Sequence, residues 1–309
     1  MNDIVLTGNQ ANYIFNPYDR ANFLGSGGMG KVFVGHVIHI HNKDLTNDEL
    51  SVGDKVAIKV IHKELTRNKS VIKRAYKESL VSVRHNNLIL MLDFVIENKI
   101  VHIISKFIEG ETLSKVLNDR DRQPIPKNDA LNITLQILNG LKALHHNNII
   151  HRDIKPSNIN ISKYGKAVIM DFGVAKISEG ERLSVTGVGS ILGTPHYSSP
   201  EQVRGETDKI NGASDIYSAG ITLYEMLTGH SPFQADSEFE VIKMQVNEPL
   251  PETPLIDKKL FKIIRKLTEK DVKRRYKIAD HAIEDIQYYM DPPVGIRKRL
   301  KYFLNRLKR

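Results

Sequence analysis

The chain has 309 residues, enough for two lobes or one large domain with its own hydrophobic core. It contains no cysteine, which excludes disulfides, thiolate metal sites and cysteine nucleophiles, so any metal must be held by oxygen or imidazole ligands. No apolar run reaches the roughly 18 residues that cross a bilayer, and the first residues lack the features of a secretion signal, which predicts a soluble, cytoplasmic protein. The net charge of +9 is concentrated near the C-terminal end and therefore does not indicate a nucleic-acid-binding body.

The first third of the chain has the pattern of β-strands. Short runs rich in Val and Ile alternate with turn residues, which is typical of strands rather than helices. The runs are KVFVGHVIHI, KVAIKVIH and KIVHIISKFI. We therefore expect a small β-rich N-terminal lobe.

A glycine-rich turn lies at the start of this region. The stretch LGSGGMGKV places Gly25, Gly27 and Gly30 in a G-x-G-x-x-G pattern, which also occurs in dinucleotide-binding folds, where it must open a helix. Here the residues after Gly30 continue a strand, which favours a hairpin whose backbone amides approach phosphate oxygens. Lys59 ends the VAIK run, where its ammonium would reach the same phosphates; the alternative is an ordinary surface lysine.

After about residue 111 the pattern changes to that of helices. The segment SDIYSAGITLYEMLTG is apolar nearly all round and stops at Gly229, which predicts a buried helix. KKLFKIIRKLTEK and ADHAIEDIQYYM predict two more helices. A stripe of leucines at helical spacing follows the capping candidate Asn128: Leu131, Leu135, Leu138, Leu141 and Leu144. The helices predict a larger helical C-terminal lobe and the α+β class.

The stretch HRDIKPSNI begins at His151 and lies between two apolar runs. By itself it would be a charged turn after a helix. It contains Asp153, Lys155 two residues later and Asn158, and Asp171 opens the sequence DFG further on. Carboxylate and amide oxygens such as those of Asn158 and Asp171 are the hard ligands that Mg²⁺ prefers. The rest of the chain decides between a charged turn and a functional loop.

Taken in order, the glycine-rich turn, VAIK, HRDIKPSN, DFG and GTPHYSSPE resemble the motifs of eukaryotic-type (Hanks-type) serine/threonine protein kinases. The resemblance implies a bilobal α+β kinase fold with an N-lobe at residues 18–107 and a C-lobe at 108–290. An N-terminal extension would occupy residues 1–17 and a basic amphipathic tail residues 291–309. It further implies transfer of the γ-phosphoryl group of ATP to Ser or Thr hydroxyls of protein substrates, with Mg²⁺, or Mn²⁺ in its place.

The resemblance also assigns roles to single residues. Asp153 would orient the attacking hydroxyl and accept its proton, Lys155 would steady the transferring phosphoryl group, and Asn158 and Asp171 would bind the metal. Thr194 would hydrogen-bond near Asp153 and Lys155. Nucleotide contacts are implied for Leu24, Gly25, Ser26, Gly27, Gly28, Met29, Gly30, Lys31, Val32, Ala57, Lys59, Glu78, Lys106 and Ile108.

Supporting residues follow from the same resemblance. Glu201 is expected to form a buried ion pair with Arg275, and Asp215 is expected to brace the catalytic loop from the buried helix. Glu78 is the candidate partner of Lys59, although the connection that follows it is shorter than in the family.

Two departures concern the adenine site. Ser105 would be a small gatekeeper residue, with the Lys106 carbonyl and the Ile108 amide facing adenine. Asn160 occupies a position beneath adenine that is usually apolar, and a buried amide there needs a partner or a water.

Regulation by phosphorylation is also implied. Arg152 precedes the catalytic Asp, and in related kinases this arginine binds a phosphate on the segment between DFG and SPE. The candidate acceptors are Ser184, Thr186 and Ser190, of which Thr186 is favoured.

Two other kinds of protein compete with a kinase. One is a catalytically inactive kinase-fold binding module, which only the uncertain register of Glu78 and the polar Asn160 favour. The other is a small-molecule kinase, which would share the catalytic loop but lack the peptide shelf of residues 193–201. The presence of Lys59, Asp153 and that shelf favours the protein kinase.

The tail IRKRLKYFLNRLKR has an apolar stripe on helical spacing, with basic residues over most of the rest. The stripe consists of Ile296, Leu300, Phe303, Leu304 and Leu307. One interpretation packs this helix on the C-terminal lobe. Another lays residues 296–309 on an anionic membrane surface, or docks them on an acidic partner. Nucleic acid is the least favoured partner.

Overall fold

The computed structural model describes residues 3–41, 50–67, 72, 73, 76, 83–171 and 195–292. The chain divides into two compact units, which we call unit 1 (residues 1–110 and 169–180) and unit 2 (residues 111–168 and 181–309). The division falls close to the lobe boundary predicted after residue 107, except that the segment beginning at Ile169 returns to unit 1.

Unit 1 contains a seven-stranded antiparallel sheet, as the Val- and Ile-rich runs predict. Its strands are β1 (Ile4–Thr7), β2 (Ala11–Phe15), β3 (Phe23–Gly27), β4 (Gly30–Ile40), β5 (Lys55–Ile61), β6 (Met91–Glu97) and β7 (Ile100–Lys106). The strand order is β1-β2-β4-β5-β7-β6, with β3 paired to β4.

The hairpin of β1 and β2 belongs to the core of unit 1, although the sequence predicted no structure for the extension at residues 1–17. The buried carboxylate of Asp93 on β6 accepts hydrogen bonds from the three backbone amides of residues 9–11 at 2.9 to 3.2 Å and from the Tyr13 hydroxyl at 2.7 Å. Leu6, Tyr13 and Phe15 of the hairpin pack in one hydrophobic cluster with residues of β4, β5 and β7. The carboxylate therefore fixes the turn, and the apolar side chains fix the strands.

His102 on β7 is buried, with 3% of its surface exposed. Its ring packs edge-on against Phe15, with centroids 5.9 Å apart. Among the residues that the structure describes, Nδ1 has no hydrogen-bond partner. Burial lowers the pKa of His102 to about 4, and the backbone of Val95 and Ile100 opposes this shift only in part.

Unit 2 is mainly helical. Its helices are α1 (Leu113–Asp119), α2 (Lys127–His146), α3 (Pro200–Val203), α4 (Gly212–Thr228), α5 (Glu238–Asn247), α6 (Lys258–Leu267) and α7 (Ala279–Met290). The strands β8 (Gly110–Thr112), β9 (Ile159–Ser162) and β10 (Ala167–Ile169) form a three-stranded sheet in the order β10-β9-β8. Within the described ranges, no helix combines the length and the apolar character that are needed to cross a membrane.

Helix α4 is the core of unit 2. Every residue from Ala213 to Thr228 is buried, and the helix packs against α2 and α6. The Asn211 side chain caps its start by accepting the Ala213 amide at 2.8 Å, and Gly229 ends it with φ of 84°, a conformation that favours glycine. The predicted buried helix is therefore confirmed, including its stop.

The leucine stripe of α2 is confirmed, but the capping prediction is wrong. Leu131, Leu138, Leu141 and Leu144 are fully buried. The N-cap residue is Pro126, whose side chain cannot accept a hydrogen bond from a backbone amide, and Asn128 lies inside the first turn. The fixed φ of proline is compatible with the start of a helix, so this helix begins without a polar cap.

We predict that His102 makes unit 1 sensitive to acid. Its pKa in the folded chain lies below the ordinary value of about 6.5, so the unfolded chain binds the proton more tightly. Stability from this group is therefore complete above pH 6.5 and is lost as the pH falls toward 4, by about 3 kcal/mol. Denaturant unfolding of the wild type and of His102→Leu between these pH values measures the difference.

The exposed His39 on β4 supplies the control for this experiment. His39→Leu should keep the acid sensitivity of the wild type, whereas His102→Leu should show a weaker loss of stability. Equal slopes of stability against pH in the wild type and His102→Leu would contradict the prediction.

Candidate active site

The glycine-rich turn is a hairpin between β3 and β4, as predicted. Gly27 lies opposite Gly30, and Gly25 lies opposite Val32. The hairpin tip is tied to the residue after β5, since the His62 amide donates to the carbonyl of Met29 at 3.0 Å. The predicted nucleotide contacts Leu24, Ser26, Gly28 and Lys31 lie on this same hairpin.

The glycines of this hairpin differ in how much space the surrounding atoms leave for a side chain. A Cβ atom on Gly30 would collide with the carbonyl oxygen of Val60, so β5 itself excludes a side chain there. At Gly25, Gly27 and Gly28 a Cβ atom would meet no atom within 4 Å in the described part of the chain. Packing within the described part of the chain therefore does not account for these three glycines.

The strand register brings the hairpin next to Lys59. Val32 on β4 lies opposite Lys59 on β5, which in turn lies opposite Ile103 on β7. The Lys59 ammonium is mostly buried and lies 2.9 Å from Oδ1 of Asp171, whose side chain is half exposed. Asp171 has a φ of 47°, an unusual conformation for a residue other than glycine. Lysine and aspartate from two separate motifs thus meet within unit 1.

The predicted hinge residues follow on β7. Ser105 lies opposite Ala57, and Lys106 ends the strand with its amide donating to the Leu90 carbonyl at 2.9 Å. Ile108 is the second residue after this strand. The structure therefore keeps Ala57, Ser105 and Lys106 on neighbouring strands of one sheet.

The catalytic loop lies between α2 and β9 in unit 2. Oδ2 of Asp153 lies 3.0 Å from the Lys155 ammonium and accepts a hydrogen bond from Nδ2 of Asn158 at 2.9 Å. The same Asn158 nitrogen donates to the Asp153 carbonyl at 2.8 Å. A short 3-10 turn, Pro156–Asn158, closes the loop so that acid, lysine and amide meet. This is the grouping that the sequence HRDIKPSN predicts.

Asp215 braces this loop, as predicted. It lies in the first turn of α4, and its two oxygens accept the backbone amides of His151 at 2.9 Å and Arg152 at 2.7 Å. The His145 ring adds a third contact at 2.8 Å. Arg152 has a φ of 67°, and such strained conformations persist only where the surroundings hold them.

The predicted ion pair of Glu201 and Arg275 is present and buried. The guanidinium and carboxylate form two parallel hydrogen bonds of 2.7 and 2.6 Å, and Ser214 donates to the same carboxylate at 2.7 Å. Burial alone would raise the pKa of Glu201, but the hydrogen bonds and the charge of Arg275 outweigh it and hold the pKa below its ordinary value. The pair therefore fixes α3 to the segment between α6 and α7, and Ser214 ties α3 to the start of α4.

The short turn Pro195–Tyr197 is held by residues that the sequence analysis missed. The Tyr197 carbonyl accepts Ser218 Oγ at 2.7 Å, and its hydroxyl donates to Glu225 at 2.5 Å. Arg122 lies 2.9 Å from the other Glu225 oxygen. A signal for these contacts is present in the sequence: Ser218 and Glu225 are polar residues within a helix that is predicted to be buried, so they need hydrogen-bond partners.

Two buried polar atoms near the catalytic loop have no hydrogen-bond partner among the described residues. One is Nε of Arg152, and burial lowers the pKa of this guanidinium although the charge of Asp215 opposes the shift. The other is Oδ1 of Asn160 on β9, a side chain that is 7% exposed. The sequence predicted that Asn160 would need a partner, and the described part of the chain supplies none for this oxygen.

Several predicted site residues lie outside the described residues. They are Glu78, Thr194, the phosphorylation candidates Ser184, Thr186 and Ser190, and the tail from residue 293 onward. The two predicted metal ligands are divided between the units, with Asn158 in unit 2 and Asp171 in unit 1. Among the described residues, no group of three or more His, Asp or Glu side chains could hold a metal ion.

Comparison with known proteins agrees with the geometry. A family model described as the protein kinase domain matches residues 18–285. The serine/threonine-protein kinase pkn2 of Myxococcus xanthus is 35% identical over 274 residues, which are 85% of this chain and 31% of that protein.

Two further relatives show the same pattern. The serine/threonine-protein kinase PrkC of Bacillus subtilis is 32% identical over 89% of this chain and 40% of its own length. The serine/threonine-protein kinase PknB of Mycobacterium leprae is 31% identical over 89% of this chain and 43% of its own length. The chain thus spans between about a third and two fifths of the length of these relatives.

We predict that Arg275→Met destabilises unit 2 by about 3 to 5 kcal/mol, because it leaves the Glu201 carboxylate buried without its cation. The change in the free energy of unfolding is measured by denaturant titration at neutral pH. The neighbouring Arg274, which is exposed, gives the matched control Arg274→Met with an expected change below about 0.5 kcal/mol. Equal effects of the two substitutions would contradict the prediction.

Proposed function

The chain belongs to the protein kinase domain family, and on this premise we propose that it transfers the γ-phosphoryl group of ATP to Ser or Thr hydroxyls of protein substrates. One observation carries the proposal: Asp153 lies 3.0 Å from the Lys155 ammonium and 2.9 Å from the Asn158 amide, in a loop braced by Asp215. An acid, a cation and an amide oxygen at one place match the needs of phosphoryl transfer.

In this proposal Asp153 positions the substrate. Its Oδ2 is engaged by Lys155 and Asn158, which holds the carboxylate in one orientation. The carboxylate accepts the hydrogen bond of the substrate hydroxyl and takes its proton as the oxygen attacks. Phosphoryl transfer passes through a loose transition state, so orientation of this hydroxyl is the main task of the side chain.

Lys155 and Lys59 supply the positive charge. The Lys155 ammonium is beside Asp153 and therefore close to where the attacking hydroxyl would lie, so it stabilises negative charge on the transferring group. Lys59 would bind the other phosphates, with the amides of the Gly25 to Gly30 hairpin around them. The register that pairs Val32 with Lys59 supports a shared role for the hairpin and the lysine.

The side chains of Asn158 and Asp171 offer oxygen atoms, which are the ligands that a hard divalent cation prefers. Nδ2 of Asn158 is used in donating to Asp153, which leaves the amide oxygen Oδ1 as the atom able to bind a metal. Asp171 offers a half-exposed carboxylate. When bound, Mg²⁺, or Mn²⁺ in its place, would neutralise phosphate charge.

The catalytic loop and the peptide shelf of residues 193–201 support a proposal for the class of substrate that accepts the phosphoryl group. Lys155 two residues after Asp153, with the segment GTPHYSSPE, resembles the serine/threonine branch of the family. Ser218 and Glu225 hold the turn Pro195–Tyr197 of this segment in place. A fixed shelf supports a peptide rather than a small-molecule acceptor. Thr194, directly before this turn, is proposed to hydrogen-bond near Asp153.

We propose in addition that Arg152 binds a phosphorylated residue of the segment between Asp171 and Pro195. A guanidinium cannot reduce the free-energy cost of its burial by losing its proton at ordinary pH. An anion beside the unpaired Nε of Arg152 would offset this cost. A phosphate would supply charge-assisted hydrogen bonds to it. Autophosphorylation, with Thr186 as the favoured acceptor, would then order the segment.

Three sequence predictions remain predictions. They are a cytoplasmic location, contact of residues 296–309 with an anionic membrane surface or an acidic partner, and pairing of Glu78 with Lys59.

We expect Asp153→Asn to reduce phosphotransfer to a peptide by about 10² to 10⁴ without unfolding the chain. The amide keeps the size of the side chain but cannot accept the proton. Lys59→Ala and Asp171→Ala should have comparable effects through nucleotide binding. Initial rates with radiolabelled ATP measure the loss, and Asp236→Asn, at an exposed position, is the control. A folded Asp153→Asn protein with wild-type rates would overturn the proposed function.

We also expect ATP-treated protein to carry phosphate at Thr186, and phosphatase treatment to lower its activity by about tenfold, as expected for loss of a charge-assisted contact. Mass spectrometry before and after treatment locates the phosphate. Arg152→Gln should abolish the difference in activity between the two forms, whereas Ser190→Ala should preserve it. Full activity with residues 181–190 free of phosphate would argue against this regulation.

A further inference from the structure

The peptide-shelf turn Pro195–Tyr197 is held by α5 as well as by α4. Nε2 of Gln245 on α5 donates to the carbonyl of His196. Gln245 is fully buried, and its Oε1 accepts the hydroxyl of Tyr217 on α4. Both ends of this amide are therefore engaged, so the position of the His196 carbonyl follows the position of α5.

The end of α5 is in turn held by Lys270, which follows α6. The Lys270 ammonium donates to the carbonyl of Gln245 at 2.7 Å and to that of Met244 at 3.4 Å. These carbonyls lie in the last turn of α5, where a cation is favoured by the helix dipole, although the Met244 carbonyl also accepts the Glu248 amide at 2.9 Å. The ammonium also donates to the Tyr217 hydroxyl at 3.2 Å and lies 4.1 Å from the centroid of the Phe233 ring.

Burial disfavours the charge of Lys270. Burial lowers the pKa of Lys270 to about 7, the charges of Arg275 and Arg204 lower it further, and Glu248 opposes them. A hydrophobic side chain of similar shape is often neutral or stabilising in place of a buried charge. Stability alone therefore does not explain the lysine, whereas its hydrogen bonds to α5 give it a specific structural partner.

We propose that Lys270 and Gln245 are positioning residues for the peptide substrate: Lys270 fixes the end of α5, and Gln245 transmits this position to the His196 carbonyl of the peptide shelf. Neither residue belongs to the catalytic loop or to the glycine hairpin, so in this proposal the pair governs binding of the peptide and not the chemical step. The inference rests on the proposed function, since it assigns the shelf to a peptide substrate.

The first test separates peptide binding from catalysis. Lys270→Met should raise the KM for a peptide substrate about tenfold, as expected for a lost hydrogen bond to a charged donor, with kcat and the KM for ATP within about twofold of wild type. Its melting temperature should be unchanged or higher. The matched control is Lys266→Met, which removes a lysine stacked 4.2 Å from the Tyr276 ring and should leave the peptide KM unchanged.

A double-substitution cycle tests the pairing. Gln245→Met should raise the peptide KM to a similar extent. In that background Lys270→Met should raise the peptide KM little further, because in this proposal both residues act by positioning the His196 carbonyl. Additive effects would overturn the proposal, as would a fall in melting temperature with parallel changes in kcat and both KM values.

The pH dependence supplies a readout that a merely structural role would not give. The ammonium is present below a pH of about 7 and is lost as the pH rises through that value. The ratio of the peptide KM of Lys270→Met to that of the wild type should therefore be about tenfold at pH 6 and narrow to roughly threefold or less at pH 8.5. A ratio that stays constant over this range would contradict the role of the ammonium.

Hydrogen–deuterium exchange distinguishes failure of this inference from failure of the proposed function. The backbone amides of residues 196–203 should exchange faster in Lys270→Met and in Gln245→Met than in the wild type, whether or not the chain phosphorylates the peptide. Faster exchange in both variants, together with a wild type that shows no phosphotransfer activity, would sink the proposed function alone. Unchanged exchange, with normal kinetics, would sink the positioning role alone.

Discussion

The buried carboxylate of Asp215 is the contact on which the catalytic loop depends. It takes the amides of His151 and Arg152 from within the first turn of α4, so the loop inherits the rigidity of a helix that is buried on all sides. A loop residue such as Arg152 keeps its positive φ only while such contacts hold it. The placement of Asp153, one residue further on, is thus a consequence of the packing of α4.

The same helix organises the rest of unit 2. Ser214 donates to Glu201 of the buried ion pair, Ser218 and Glu225 hold Tyr197, and Tyr217 donates to Gln245. Each of these polar groups would be costly in an apolar core if it were unpaired, and together they reach three segments: α3, the turn Pro195–Tyr197 and α5. One helix therefore positions the catalytic loop, the ion pair and the peptide shelf together.

Sequence reasoning succeeded where the information is local. The glycine hairpin, the grouping of Asp153 with Asn158, and the stop at Gly229 all depend on residues close together in the chain. Two distant contacts, the Glu201–Arg275 pair and the brace from Asp215, were predicted only through the family resemblance. Distant partners to which the resemblance assigned no role were missed: the turn of the first hairpin is fixed by Asp93, more than 80 residues away, and nothing near residues 9–11 indicates this. Gln245 and Lys270 were missed for the same reason. The N-cap of α2 was misplaced because Pro126, which has no capping side chain, occupies that position directly before the helix begins at Lys127.

The unpartnered buried atoms differ in what they imply. Nδ1 of His102 can remain unpaired because a neutral imidazole tolerates the core, and the lowered pKa expresses that neutrality. Oδ1 of Asn160 is never charged, so its burial carries a moderate cost that a water or a ligand donor would remove. The Arg152 side chain is neither neutral like the imidazole nor uncharged like the amide, because a guanidinium keeps its charge over the ordinary pH range. Of the three, it is therefore the one whose burial a bound anion would offset most, in addition to the charge of Asp215, and it lies beside the residue that we assign to catalysis.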